Sequence, residues 1–154
     1  MGGFEFYNTG FEAIFSGLFA AALAQFIKVI TYLCTHKKIN FKIFTTTGGM
    51  PSSHTAGVIA LTTSIALIDG IDSLLFAVSL GFSLVIMQDA AGLRRAAGKT
   101  AATLNRLVDE FVQKNQGVKP YDALKELLGH TPLEVFCGMI LGIIVPLVIH
   151  NFAS

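Results

Sequence analysis

Of the chain's 154 residues 53% are hydrophobic and only 14% charged, where a soluble domain carries roughly 25% charged residues. That balance excludes an ordinary soluble enzyme and predicts an all-α integral membrane protein, with residues 1–154 forming one helical-bundle domain. A net charge of +1 points to no nucleic-acid partner. The placement of the charges is far more informative than their sum.

The first ten residues carry Glu5 and no Lys or Arg. They do not resemble a cleavable signal peptide, so the first apolar segment is expected to stay in the mature protein. Phe11–Cys34 is the first expected span, longer than the ~20 apolar residues that cross a bilayer core. Gln25 and Lys28 interrupt its later half. The lysine either snorkels to the interface or points inward at a polar site. Thr35–Thr47 is a basic connection with His36, Lys37, Lys38 and Lys42. Pro51–Ile68 predicts a second, rather short helix rich in Ala, Thr and Ser, and Asp69–Asp72 a tight turn.

Ser73 to about Gln88 is the third expected span. Ala90–Lys125 is too polar to cross a membrane. Within it Ala97, Ala101, Leu104, Val108 and Phe111 recur at helical spacing and predict an amphipathic helix ending at Gln116–Pro120. Leu133–His150 is the last span. Its Gly138 and Gly142 form a small-residue face suited to close packing, within the chain or against a second copy. Cys34 and Cys137 match no metal spacing and read as buried thiols acting as small hydrophobes.

The expected architecture is therefore about four transmembrane helices plus a cytoplasmic amphipathic helix. Every Lys and Arg lies in, or near the end leading to, the two connections on one side, whereas Glu5, Glu12, Asp69 and Asp72 occupy the other. The positive-inside rule puts both termini outside and both basic connections in the cytoplasm. Gly48–His54, Arg94–Lys99 and His130 are thereby expected on one face.

Three stretches carry chemistry. Gly48-Gly49-Met50-Pro51-Ser52-Ser53-His54 predicts a helix start with Pro51 in the first turn and Ser52 and Ser53 offering hydroxyls to unpaired N–H groups. Such a terminus is an anion site, and His54 sets a titratable imidazole beside it. An ordinary cap with an interfacial histidine is the plainer alternative. Asp89 to Thr100 brings Arg94, Arg95 and Lys99 out of the membrane together. They suit phosphate binding or an ordinary basic collar against anionic headgroups. Gly98-Lys99-Thr100 is not a P-loop, because Leu93 stands where that pattern needs glycine. In Leu128-Gly129-His130-Thr131-Pro132-Leu133-Glu134, Thr131 and Glu134 form a capping box with Pro132 at the first helical position. Glu134 is also placed to orient His130 as a nucleophile. His36 and His150, at span ends, read as interfacial residues with no evident partner.

Gly-Gly-Met-Pro-Ser-Ser-His-Thr at 48–55, Asp-Ala-Ala-Gly-Leu-Arg-Arg-Ala-Ala-Gly-Lys at 89–99 and Leu-Gly-His-Thr-Pro-Leu-Glu-Val at 128–135, in that order, resemble the divergent PAP2 family. That group is related to type 2 phosphatidic acid phosphatases and vanadium haloperoxidases. The resemblance implies that Ser53 and His54 match a P-S-G-H motif supplying an acid histidine. It likewise implies that His130 matches the nucleophile and that Glu134 stands where its aspartate partner is expected. The implied activity is phosphatase action on a membrane lipid or isoprenoid phosphate, with no cofactor or metal. The wider superfamily's K-x6-R-P motif is absent upstream of Gly48, and Leu124 replaces its third-motif arginine. The phosphate-binding cations would then be Arg94, Arg95 and Lys99, with Lys28, alongside Ser52 and Ser53. A non-catalytic membrane module for anionic lipid is the alternative, and the missing cations favour it.

Overall fold

The computed structural model describes residues 6–36, 49–114 and 130–153. Its helices are α1 (Gly10–His36), α2 (Ser53–Asp69), α3 (Leu74–Gln88), α4 (Arg94–Lys114) and α5 (Pro132–Ala153). The basic stretch at 37–48, the break at Gln116–Pro120 and Leu124 lie outside the described residues. Ser73 caps α3 by accepting from the Phe76 N–H at 3.1 Å, just after the turn at Gly70. One element was not expected. Asp89–Leu93 forms a π-helical turn that joins α3 to α4, so the chain leaves the third span as continuing helix.

α1, α5 and the helical run beginning at Leu74 are long and apolar enough to cross a membrane. Seventeen-residue α2 is about 25 Å long at 1.5 Å per residue, somewhat under the ~30 Å hydrocarbon core. It is the central helix, packed against α1, α3 and α5, whereas α4 packs mainly on the π turn. α2 runs antiparallel to α1 and α3 and parallel to α5.

Enclosure explains the composition of α2. Lipid tails are as apolar as leucine, so helices in a bilayer associate through close packing and hydrogen bonds. The centre is accordingly built from Ala20 and Ala24 of α1, Ala56 and Ala60 of α2, and Val145 of α5. A Cβ added at Gly17 would lie 3.1 Å from the Gly57 carbonyl oxygen. At Gly138 it would lie 2.6 Å from the Ser52 carbonyl oxygen, and at Gly142 2.7 Å from that of Ala56. The small-residue face of α5 is thus spent on α2, inside the chain. Buried hydroxyls tie α2 to its other neighbours: Thr62 Oγ1 pairs with Ser83 Oγ of α3 at 2.9 Å, and Ser64 donates to Ser16 of α1 at 3.3 Å.

The cysteines depart from expectation. Both are free, but Cys34 is exposed and Cys137 only partly buried. In a bundle whose outer surface meets hydrocarbon, a thiol behaving as a small hydrophobe has no need of the interior.

Gly142→Leu should lower thermal stability in detergent by about 1–3 kcal/mol, the usual cost of overpacking. Gly81→Ala, where an added Cβ meets nothing within 4 Å, should be neutral or stabilising by up to about 1 kcal/mol. Equal melting temperatures for the two variants would overturn this account of the packing.

Candidate functional site

The approach to α2 is shaped by Gly49, whose φ of 87° lies in the left-handed region that glycine tolerates. Ser52 is the N-cap. Its extended backbone turns Oγ toward the Thr55 N–H at 3.4 Å, and it also accepts from Thr55 Oγ1 at 3.0 Å. Ser53 opens the helix, so Pro51 precedes the cap instead of occupying the first turn. The residue whose hydroxyl reaches an N–H three positions on defines the start, and that residue is Ser52.

The capping box at α5 forms as the sequence requires. Glu134 N–H donates to Thr131 Oγ1 at 3.3 Å, and Thr131 N–H to Glu134 Oε2 at 3.0 Å. The same Oε2 lies 3.0 Å from His130 Nδ1. A carboxylate only accepts, so Nδ1 carries a proton, and in the neutral imidazole the lone pair is then on Nε2. Both readings of Glu134 therefore hold at once, cap and histidine partner. His130 is 2% exposed.

Two backbone hydrogen bonds gather the three stretches at one end of the bundle. Ser52 N–H donates to the Glu134 carbonyl oxygen at 3.0 Å, and His130 N–H to that of Ala90, in the π turn, also at 3.0 Å. Lys28 joins them from α1. It is 5% exposed, and a Cβ at Gly49 would stand 3.2 Å from its Cγ and Cδ. Lys28 points inward and does not snorkel.

The other expected site residues, Ser53, His54, Arg94, Arg95 and Lys99, belong to α2 and α4. Ser53 and His54 line an open groove of about 520 Å³ between α1 and α2, with His54 exposed. Arg94 and Arg95 begin α4, but their side chains lie outside the described residues. Lys99 is exposed on α4 and makes no ion pair among the described residues. Among those residues no three His, Cys, Asp or Glu side chains gather as a metal site.

Residues 10–145 match the divergent PAP2 family. The chain belongs to that family. It is also 44% identical over 148 residues to the uncharacterized membrane protein YuiD of Bacillus subtilis (strain 168), covering 90% of this chain and 94% of that one. No solved structure matches. The family match takes in both helix starts, with His54, His130 and Glu134, and with the long apolar helices it makes this an integral membrane protein.

This divergent PAP2 chain holds a second imidazole–carboxylate pair at the opposite end, which the sequence did not announce. His150 Nδ1 lies 2.7 Å from Oε1 of fully buried Glu12. Asn8 N–H donates to Glu12 Oε2 at 2.8 Å, and Tyr7 covers His150 with ring centroids 5.0 Å apart. His150 is thus a partnered residue, not merely an interfacial one. The partners are 138 positions apart, and only the shared membrane side of the two helix ends could have suggested them. His150→Ala should cost about 3 kcal/mol of stability in detergent unfolding, because it strands a buried carboxylate, and Glu12→Ala/His150→Ala should recover part of that loss. A double variant no better than the single one would argue against the pair.

Proposed function

We propose that the chain is a membrane phosphatase acting on a lipid or isoprenoid phosphate at the cytoplasmic face of the cell membrane. The observation that carries this reading is the pairing of buried His130 with half-buried Glu134, 3.0 Å apart, at the junction of three motifs. With Nδ1–H held by Glu134, His130 Nε2 attacks phosphorus and the bond to the leaving oxygen breaks, giving phosphohistidine. His54 donates the proton that the leaving oxygen takes up. Water then attacks phosphorus and gives a proton back to His54, and the bond to His130 Nε2 breaks, releasing phosphate and the free imidazole. Lys28, Ser52, Ser53 and the N–H groups opening α2 supply the phosphate oxygens' partners. Arg94, Arg95 and Lys99 add cations from α4. The side follows from the basic connections.

One observation favours a second reading, a non-catalytic module that binds anionic lipid. His130, the nucleophile of the first scheme, is only 2% exposed, while His54 is exposed on the α1 side of α2.

Phosphate release in detergent, from phosphatidate, phosphatidylglycerophosphate and polyprenyl phosphates and diphosphates, separates the two. His130→Ala should abolish release and His54→Ala lower it by about 10²–10⁴-fold. Glu134→Gln retains a cap acceptor but loses the charge, so kcat should fall about 10²-fold or more with little change in melting temperature. Lys28→Met should lower kcat by about 10²-fold. Release that survives in His130→Ala would end the phosphohistidine scheme. No release from folded protein on any of these substrates would leave the lipid-binding module.

A further inference from the structure

α4 shows three sides of different chemistry. At about 100° per residue, Gly98 and Asn105 fall on one side and are buried, with Val108 and Val112 beside them half-buried. Leu104, Leu107 and Phe111 fall on a second side and are 47%, 58% and 60% exposed. Arg106 and Lys114 are exposed on a third, next to that ridge. The first side is thus taken up inside the protein, and the apolar ridge is left over. An exposed apolar ridge marks an interaction surface, and two observations name its occupant. The first is position. α4 begins where the apolar helix from Leu74 leaves the membrane, and the joining π turn holds His130 through the Ala90 carbonyl. Helices bend at π turns, so α4 has no need to follow α3 out into water. The second is charge. Arg94, Arg95, Lys99, Arg106 and Lys114 outnumber Asp109 and Glu110 on this helix. A second copy of the chain would meet repulsion here, and an anionic surface attraction.

We propose that α4 lies along the anionic lipid leaflet at the His130 end of the bundle. Leu104, Leu107 and Phe111 enter the boundary between headgroups and acyl chains, and Arg106 and Lys114 reach the headgroup phosphates. A cationic edge beside an apolar ridge is the pattern of a helix held in the membrane plane. This role is separate from hydrolysis at His130 and holds with or without it.

The chain contains no tryptophan, so full-length Phe111→Trp, Leu107→Trp and Gln113→Trp each carry a single reporter. Gln113 is exposed and lies about 160° round the helix from Phe111, so it serves as the water-facing control. The vesicles are phosphatidylcholine with roughly a third phosphatidylglycerol, an anionic surface. Brominated acyl chains should quench Phe111→Trp and Leu107→Trp at least about twofold more than Gln113→Trp, and aqueous iodide should do the reverse. Adding Arg106→Gln and Lys114→Gln to Phe111→Trp should raise iodide quenching at 111 by about twofold, as should vesicles of phosphatidylcholine alone. Leu107→Trp repeats the ridge measurement in case an indole at 111 disturbs α4. Equal quenching on both sides of the helix would overturn the proposal. So would a ridge shielded from iodide yet untouched by the bromines, because protein would then cover it, whether a second copy or another segment of the chain. Ridge quenching that ignores both phosphatidylglycerol and the two glutamines would remove the anionic leaflet as the partner.

Discussion

The hydrogen bond from Ser52 N–H to the Glu134 carbonyl oxygen is the constraint on which the candidate site depends. It joins two helix starts far apart in sequence, and it forms only because α5 can approach α2 closely. Gly138 permits that approach, since a Cβ there would collide with the very residue that makes the bond. Packing and chemistry are consequently one problem in this bundle. A side chain at Gly138 would push Glu134 away from Ser52 and take the His130 partner with it.

Glu134 concentrates the same coupling in a single oxygen. Its Oε2 accepts from the Thr131 N–H and holds His130 Nδ1, so the group that starts α5 also fixes the tautomer of the imidazole. A capping box is usually a modest stabiliser of a helix end. Here it leaves the carboxylate little rotational freedom, and a positioned carboxylate is what an oriented imidazole needs. Stability of the α5 start and presentation of Nε2 therefore change together, unless a substitution keeps the acceptor and removes only the charge.

Much of the fold was legible because membrane helices advertise their length and their ends. The apolar runs and the Asp69–Asp72 turn fell close to the observed bounds, the amphipathic period lies within α4, and Thr131-Pro132-Leu133-Glu134 announced its own cap. These are local signals, readable over a few turns. The Ala, Thr and Ser content of α2 showed only as composition in the sequence, whereas it marks a helix packed against three others, with Ser64 and Thr62 bonded to Ser16 and Ser83. The inward Lys28 could not be told from a snorkelling one, because the difference lies in Gly49 on a neighbouring segment. The π turn at Asp89–Leu93 leaves no composition signal, and Glu12–His150 is a pairing across the whole chain. In each case the deciding contact is between elements.

The two ends of the bundle show how a small membrane protein tolerates buried charge. A carboxylate deep among helices is costly unless it is paired and hydrogen-bonded. Both Glu12 and Glu134 meet that condition in the same manner, with an imidazole Nδ1 and a backbone N–H. Their settings differ. Glu12 is closed in by Tyr7 and Asn8, with no lysine or arginine described against it, and ties an N-terminal segment to the end of α5. Glu134 shares its end of the bundle with buried Lys28 and the capped start of α2, so that end combines a lysine, a helix N-terminus and an oriented imidazole. That combination suits an anion. The same pair serves as a clasp at one end and, in the proposed phosphatase, as the core of the site at the other.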